Sequence, residues 1–188
     1  MFAGHLDLTV PLHWTIDDAL PAADCAAYIS KMRRGQPELG EIVGRDGKPV
    51  VELATRNNTR VMWDDATEAD ALLDRVRGRV PVRLSGLALA GANPRLRIYR
   101  YGPGERHGAH WDTVVELADG VRSMLTLVFY LNEDFTGGDT DFVELGACVT
   151  PRRGRALLFQ HRVMHRACEV MSGEKFVLRT DVLYRADP

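Results

Sequence analysis

The chain has 188 residues, 45% of them hydrophobic, which suffices for one buried core and predicts one domain over residues 1–188 rather than two. A formal net charge of −2 gives no overall attraction to phosphate backbones or anionic membranes, so neither nucleic acid nor a membrane is an expected partner. Three cysteines without close pairing suit a reducing compartment, and no export signal or membrane span is visible, so we expect a cytoplasmic location.

Helix signals dominate the first part of the chain, over about residues 1–83. Leu20–Arg34 combines an early proline, an apolar stripe and basic residues before Gly35, the usual pattern of a helix and its end. A second helix is predicted over Ala66–Arg77. Between them, the glycine-rich stretch Gly40–Arg60 indicates a hairpin with an exposed connection. In an enzyme this hairpin is a candidate substrate lid, and a plain surface hairpin is the alternative.

Strand signals, with a hydrophobic period of two, occupy about residues 84–185. Glycine, proline and aspartate turns separate five predicted strands, which are Leu96–Tyr101, Ser123–Leu131, Phe142–Leu145, Arg155–Gln160 and Phe176–Tyr184. Short strands that follow two helices predict a mainly β protein of the α+β kind. The expected architecture is a jelly roll, or double-stranded β-helix, with the N-terminal helices packed on the outside.

One predicted strand has two different faces, because successive strand side chains point in opposite directions. One face is expected to contain Ser123, Leu125, Leu127, Phe129 and Leu131, and to pack on the helices. The other is expected to contain Met124, Thr126, Val128 and Tyr130. The second face is apolar but has two hydroxyl groups, so it is suited to line a ligand cavity.

The triplet His110-Trp111-Asp112 has the spacing of two metal ligands. Residues i and i+2 of a strand share a face, so His110 and Asp112 can reach one ion. A second imidazole would complete the 2-His-1-carboxylate triad of non-haem Fe(II) oxygenases. The triplet is short enough to arise by chance, so its weight depends on the surrounding sequence.

Four blocks, in order, resemble the 2-oxoglutarate and Fe(II)-dependent dioxygenases, in particular the prolyl 4-hydroxylase-like branch. The blocks are YRYGPGERHGAHWD, RSMLTLVFYLNEDFTGGDTDF, VTPRRGRALLF and HRACEVMSGEK, within about residues 93–184. The resemblance implies a jelly roll that binds Fe(II) and 2-oxoglutarate, with ascorbate as an optional addition. His110 and Asp112 then match two iron ligands. His161 and His165 compete for the third place, and His165 is preferred because Lys175 follows it by the family's distance of about ten positions.

Lys175 matches the basic residue that holds the far carboxylate of 2-oxoglutarate. Strand alternation places Lys175 and Arg179 on one face, inside the barrel, where a cation without a partner is costly and an anion would remove the penalty. For Arg179 an ion pair with Asp181 or another acid is equally expected. The resemblance adds further cosubstrate contacts at Thr126, Tyr130 and Tyr101, with Tyr99 as the weaker alternative to Tyr101.

The implied reaction is hydroxylation of an unactivated C–H bond with decarboxylation of 2-oxoglutarate to succinate. The expected substrate is an amino-acid side chain, prolyl or other, in a free amino acid, a peptide or a small natural product. The expected substrate contacts are Arg56, Asn58, Arg60, His107 and Trp111. Two alternatives stay open: a cupin-like zinc or manganese hydrolase or isomerase, and a jelly-roll sensor that binds a carboxylate without turnover. The sequence does not indicate an oligomeric state.

Overall fold

The computed structural model describes residues 6–44 and 46–187, and Arg45, inside the predicted hairpin, lies outside the described residues. The elements up to residue 101 are β1 (His13–Ile16), α1 (Ala22–Arg34), β2 (Glu38–Leu39), β3 (Ile42–Val43), β4 (Pro49–Val50), β5 (Thr59–Asp64), α2 (Ala66–Asp74), β6 (Arg83–Leu84), β7 (Leu87–Ala92) and β8 (Arg95–Tyr101). Those that follow are β9 (His107–His110), β10 (Arg122–Tyr130), β11 (Thr136–Gly137), β12 (Thr140–Phe142), β13 (Ala147–Val149), β14 (Ala156–Gln160), β15 (His165–Ala167), β16 (Val170–Ser172) and β17 (Lys175–Arg185). The predicted mainly β protein is confirmed.

Both helices begin and end where local chemistry requires it. In α1 the last carbonyls, of Lys31 and Met32, accept hydrogen bonds from the N–H of Gly35. At the start of α2 the Asp65 side chain accepts a hydrogen bond from a backbone N–H of the first turn. The prediction that this second helix runs to Arg77 is wrong, because the chain tightens after Asp74 into 3₁₀ turns before a proline. Neither helix is long and apolar enough to cross a membrane, within the part of the chain described.

A large antiparallel sheet forms the centre of the molecule. Its strand order is β1-β14-β10-β17-β8-β5-β2, and β7, itself paired with β6, joins the far end of β17. One face of this sheet packs under both helices. That hydrophobic core includes Cys25, Met32, Leu72 and Leu73 from the helices and Leu96, Ile98, Leu125, Leu127, Phe129 and Leu178 from the sheet. The helices therefore lie on the outside, as predicted.

A second sheet, of order β13-β12-β15-β9, covers the opposite face of the large sheet. Between the two sheets lies a second cluster of buried side chains, which includes Tyr99, Tyr101, Tyr130, Phe142, Phe159 and Val177. This interior is richer in aromatic and hydroxyl groups than the core under the helices. Two short antiparallel pairs lie beside the sheets: β3 with β4, which confirms the predicted hairpin, and β11 with β16, which are distant in sequence.

The two predicted faces of the strand now numbered β10 are correct from Leu125 onward and wrong before it. The register of the pairing with β17 shifts between Ser123 and Leu125, so Met124 bulges out of the ladder. Because of this bulge, Met124 packs against the core under the helices, and the Ser123 hydroxyl lies 3.4 Å from the ring of His161. A second correction concerns the predicted strand Phe142–Leu145, which turns after Phe142 towards a glycine with φ +60°.

Truncation of a fully buried leucine in the core under the helices tests this layering. Leu127→Ala is expected to lower the free energy of unfolding by about 2 to 5 kcal/mol, because the residue has no solvent exposure and leaves a cavity. The matched control is Leu8→Ala, at a leucine that is 79% exposed, with an expected change within about 0.5 kcal/mol. Urea denaturation of both variants measures the difference. Equal losses would contradict this assignment of the core.

Candidate active site

The register between β9 and β15 brings two histidines together. His110 and His165 are directly paired across the two strands, and their ring centroids lie 4.3 Å apart. Asp112 follows β9 by two residues, and its carboxylate oxygens lie 3.8 Å from Nε2 of each histidine. One ligand atom from each of the three residues lies within 4.8 Å of the others. The spacing of the HWD triplet thus produces one compact group of potential metal-ligand atoms.

Hydrogen bonds to the backbone fix the ring orientation and tautomer of both histidines. Nδ1 of His110 lies 2.8 Å from the carbonyl oxygen of Gly108, and Nδ1 of His165 lies 3.0 Å from that of Val163. A carbonyl oxygen only accepts hydrogen bonds, so Nδ1 carries the proton in both rings. Nε2 is left with a lone pair directed towards the carboxylate. This is the arrangement in which an imidazole binds a divalent metal.

The protonation states of the group also suit metal binding. Burial, and next the neighbouring His165, lower the pKa of His110 to about 4, and burial lowers the pKa of His165 as well. Both imidazoles are therefore neutral at pH 7. Burial would raise the pKa of Asp112, but Arg179 and the two histidines hold it well below its usual value. Two neutral imidazoles and one carboxylate form the donor set of a non-haem iron site.

The carboxylate of Asp112 is held from two sides. Thr126 donates its hydroxyl hydrogen to Oδ2, at 2.5 Å, and Arg179 donates from Nη1 to Oδ1, at 2.8 Å. Arg179 also pairs with Asp181, at 3.1 Å, and Asp181 accepts further hydrogen bonds from Asn93 and Arg97. The ion-pair alternative left open for Arg179 is what the structure shows. Its guanidinium is shared between two carboxylates.

His161, the competing histidine, lies outside the group. Its side chain is almost fully buried, with Nε2 3.7 Å from Asp181 and without a hydrogen-bond partner. The other ring nitrogen lies 3.4 Å from Ser123. His165, in contrast, packs against Phe159 with ring centroids 4.4 Å apart and directs Nε2 at Asp112. The geometry therefore favours His165 as the third ligand.

An inner cavity of about 60 Å³, lined by His110 and His165 but not by Asp112, extends into the space between the sheets. Its wall contains all five residues expected to bind the cosubstrate: Tyr101, Thr126, Tyr130, Lys175 and Arg179. The ammonium of Lys175 is fully buried, donates to the carbonyl oxygen of Gly138 and lies 5.3 and 5.5 Å from the ring centroids of Tyr101 and Tyr130. It forms no ion pair with a carboxylate of the described residues. Burial lowers the pKa of Lys175 to about 8.

A larger outer cavity, of about 460 Å³, opens on the other side of His110 and Asp112. Arg56, His107 and Trp111, three of the five expected substrate contacts, line it. His107 stacks on His110 with ring centroids 3.6 Å apart, and burial, followed by His110, lowers its pKa. Trp111 is 38% exposed. Arg56 and His107 also line the inner cavity, and the role of the three residues as substrate contacts stays a prediction.

The other two expected substrate contacts are corrections, because they face neither cavity. Asn58 is fully buried and accepts a hydrogen bond from Nε of Arg56 at 2.8 Å, so its amide orients that arginine. Arg60 lies opposite Glu38 in the β2–β5 pair, and its guanidinium binds Glu38 and Glu41. Arg162, in the connection between β14 and β15, also lines the outer cavity. It belongs to no sequence motif that would mark it as a site residue.

Comparisons with known proteins agree with this geometry. The family model of the 2OG-Fe(II) oxygenase superfamily matches residues 96–180. Prolyl 4-hydroxylase subunit alpha-1 of Homo sapiens is 32% identical over 73% of this chain. This part of the chain, residues 96–180, is similar to the 2OG-Fe(II) oxygenase superfamily. The chain spans only 30% of the length of the human relative, and 65% of Prolyl 4-hydroxylase 1 of Arabidopsis thaliana, which is 23% identical over 86% of the chain.

Solved structures show that this chain has the expected jelly-roll fold. A prolyl-4-hydroxylase of Pseudomonas putida aligns with a TM-score of 0.70 and 21% identity over 95% of each chain. A prolyl hydroxylase of Trichoplax adhaerens, solved with a hypoxia inducible factor peptide fragment, aligns with a TM-score of 0.71 and 17% identity, covering 93% of this chain and 84% of its own. The match to the 2OG-Fe(II) oxygenase family, together with the His-Asp-His group, supports the expected Fe(II) and 2-oxoglutarate, and ascorbate stays a prediction.

Single alanine substitutions test which histidine is the third ligand. His165→Ala is expected to weaken Fe(II) binding by more than about 100-fold, because it removes a nitrogen directed at Asp112. His161→Ala is expected to weaken it by less than about 10-fold, because its ring faces Asp181. Anaerobic Fe(II) titration of both variants gives the two dissociation constants. The reverse order would overturn the assignment of His165.

Proposed function

We propose that the chain is a 2-oxoglutarate- and Fe(II)-dependent dioxygenase that hydroxylates an unactivated C–H bond of an amino-acid side chain, prolyl or other. The observation that carries this proposal is that His110 and His165, two of the three metal-ligand side chains, line one small cavity together with a buried lysine ammonium that has no carboxylate partner among the described residues. The first group suits a divalent metal and the second suits an anion. A cosubstrate with a chelating keto acid at one end and a carboxylate at the other satisfies both.

In this proposal His110, Asp112 and His165 hold Fe(II). Bound iron supplies the activation of dioxygen that couples oxidation of 2-oxoglutarate, to succinate and carbon dioxide, with oxidation of the substrate. The two imidazoles bind through Nε2, since Nδ1 of each ring is committed to a backbone carbonyl. Thr126 and Arg179 fix the two oxygens of Asp112, which limits the rotation of the carboxylate. These contacts position the ligands before the metal arrives.

Lys175 binds the far carboxylate of 2-oxoglutarate. The lowering of its pKa from 10.5 to about 8 corresponds to about 3 kcal/mol against the charged form in the empty cavity. A carboxylate beside the ammonium relieves this cost. The hydroxyl of Tyr130 lies 2.7 Å from that of Thr140, and the two form a polar pair in the same wall that is available to the carboxylate. Tyr101 closes the cavity beside the ammonium and restricts the access of water.

The two alternative functions fit less of this site. A zinc or manganese hydrolase would use the three ligands, but its chemistry does not require a buried ammonium deep in the same cavity. A carboxylate sensor would use Lys175 but does not require three neutral, oriented metal ligands. Only the oxygenase uses both parts.

The outer cavity is the proposed place of the prime substrate. It borders His110 and Asp112, and its volume of about 460 Å³ suits an amino-acid side chain or a short peptide segment. The Trichoplax adhaerens neighbour was solved with a peptide, which supports a peptide as one form of the substrate.

We also propose one domain over residues 1–188, since both helices share a core with the central sheet. The free cysteines support the proposed cytoplasmic location.

Anaerobic spectroscopy tests the function without knowledge of the substrate. Addition of Fe(II) and then 2-oxoglutarate is expected to produce the weak visible charge-transfer band of a chelated keto acid. Lys175→Ala should raise the 2-oxoglutarate concentration at half-maximal band by at least about 10-fold, because the far carboxylate loses its cation. Lys48→Ala, at an exposed lysine, is the matched control and should leave the titration unchanged. A metal-bound protein without a band would contradict the proposal.

The pH dependence of cosubstrate binding tests the buried ammonium separately. Lys175 binds a carboxylate in its protonated form, and its pKa of about 8 in the empty cavity means that this form is lost as the pH rises further. The dissociation constant of 2-oxoglutarate is therefore expected to rise about fivefold from pH 8 to pH 9 and to vary little between pH 6.5 and pH 7.5. Lys175→Arg, which stays charged, should remove this rise. An unchanged constant in the native protein up to pH 9 would show that Lys175 is not the anchor.

A further inference from the structure

We propose that the prime substrate is recognised through a carboxylate, which Arg56 and Arg162 bind on the wall of the outer cavity. This inference rests on the proposed function and names the chemical class of its substrate. The carboxylate is the α-carboxylate of a free amino acid or of the C-terminal residue of a peptide. These two sources present the same group to the protein, whereas a residue inside a peptide chain presents none.

Arg56 is a buried cation that the protein orients but does not neutralise. The residue is 7% exposed, its Nε donates to Asn58 and its Nη1 donates to the backbone carbonyl of Glu41 at 3.0 Å. The guanidinium carbon lies 5.0 Å from the ring centroid of Tyr99. Gly40 is packed so closely against the guanidinium that a Cβ there would collide with it. None of these neighbours brings a carboxylate, so the guanidinium keeps an unbalanced charge at a wall that borders both cavities.

The other poorly exposed arginines show that this absence of a counter-charge is exceptional. Arg60 binds two glutamates, Arg155 binds Asp17, and Arg179 binds two aspartates. Within residues 6–44 and 46–187, Arg56 forms no ion pair with a carboxylate. A buried charge without a counter-ion is costly, and a protein keeps one where a ligand supplies the opposite charge. Lys175, in the inner cavity, is the parallel case.

Arg162 is a second cation of the outer cavity without a counter-charge. Its Nε is shielded from solvent and has no hydrogen-bond partner, and no carboxylate of the described chain pairs with its guanidinium. The residue follows His161 directly, so its backbone is anchored next to the metal-ligand group, where Asp112 donates its N–H to the His161 carbonyl. An unsatisfied donor in this place is expected to find its acceptor in a ligand.

The acidic groups of the outer cavity do not balance these two arginines. Glu41 is occupied by Arg60, and Asp112 by Arg179 and the metal-ligand group. The positive surplus also affects Tyr99. Burial alone would raise the pKa of its hydroxyl, but Arg179, Arg97 and Arg56 together lower that pKa below its usual value. One carboxylate held by two guanidinium groups would reduce this surplus and satisfy the free donors.

The test compares free acids with their primary amides in the iron- and 2-oxoglutarate-loaded protein. The probes are the proteinogenic L-amino acids, the same amino acids as C-terminal residues of glycyl dipeptides, and the amides of both sets. The readout is the stimulation of succinate formation, together with the change of the charge-transfer band under anaerobic conditions, which needs no turnover. At least one free acid or dipeptide acid should stimulate, with a half-maximal concentration at least about 10-fold below that of its amide.

Variants assign the effect to the two arginines. Arg56→Gln and Arg162→Gln should each raise the half-maximal concentration of the stimulating acid by at least about 10-fold and leave that of its amide unchanged. The matched control is Arg95→Gln, at an exposed arginine paired with Asp64 far from both cavities. The affinity for 2-oxoglutarate should stay within about 2-fold in all three, which distinguishes a substrate contact from a cosubstrate contact. Arg56 is buried, so its variant can fail to fold. In that case Arg162→Gln and the comparison of each acid with its amide still test the proposal.

The outcomes separate this inference from the proposed function. Stimulation by free amino acids but not by dipeptides identifies a free amino acid, and the opposite pattern identifies a peptide C-terminus. Both support the proposal. Equal stimulation by acids and amides, stimulation only by an internally placed residue in a capped peptide, or no stimulation by any acid would overturn it. If the charge-transfer band with 2-oxoglutarate forms, such a result leaves the dioxygenase intact; if the band itself is absent, the proposed function has failed.

Discussion

The pairing of His110 with His165 across β9 and β15 is the constraint on which the rest of the site depends. It places two imidazoles side by side at the mouth of the space between two sheets, and the next residues of the chain bring Asp112 to them. Backbone carbonyls then bind Nδ1 of both rings, so the second sheet fixes the direction of the two Nε2 atoms. A slip of the register by one residue would turn each side chain to the opposite face and separate the ligands.

The central sheet supplies the opposite side of the site through β10 and β17. Thr126 and Arg179 come from these two strands and lie close to each other in the register, and both bind Asp112. Lys175 begins the same strand that carries Arg179, four residues earlier and on the same face. Four residues of one strand therefore set the distance between Lys175 and the arginine that binds Asp112. Under the proposed function, the length of the cosubstrate that fits would be set by strand geometry rather than by a loop.

Much of this could be predicted from the sequence, because it depends on alternation along single strands. The faces of β17, the wall position of Tyr130 and the shared face of His110 and Asp112 all follow from a period of two. The bulge at Met124, the ion pairs of Arg179 and the burial of Asn58 depend on which strand lies alongside, which local pattern does not encode. Arg162 belongs to the same class, since only the path of the chain between β14 and β15 brings it to the cavity.

The charges inside the barrel explain why the two cavities differ. Asp112 and Asp181 are balanced by Arg179 and Arg97, so this buried group is close to neutral by itself. A divalent metal and a dicarboxylate add opposite and equal charges, and loading both leaves the balance of the barrel unchanged. Arg162 lines the outer cavity but not the inner one, Arg56 lines both, and neither pairs with a carboxylate of the described residues. Their charge would remain to attract the proposed substrate carboxylate after metal and cosubstrate have filled the inner cavity.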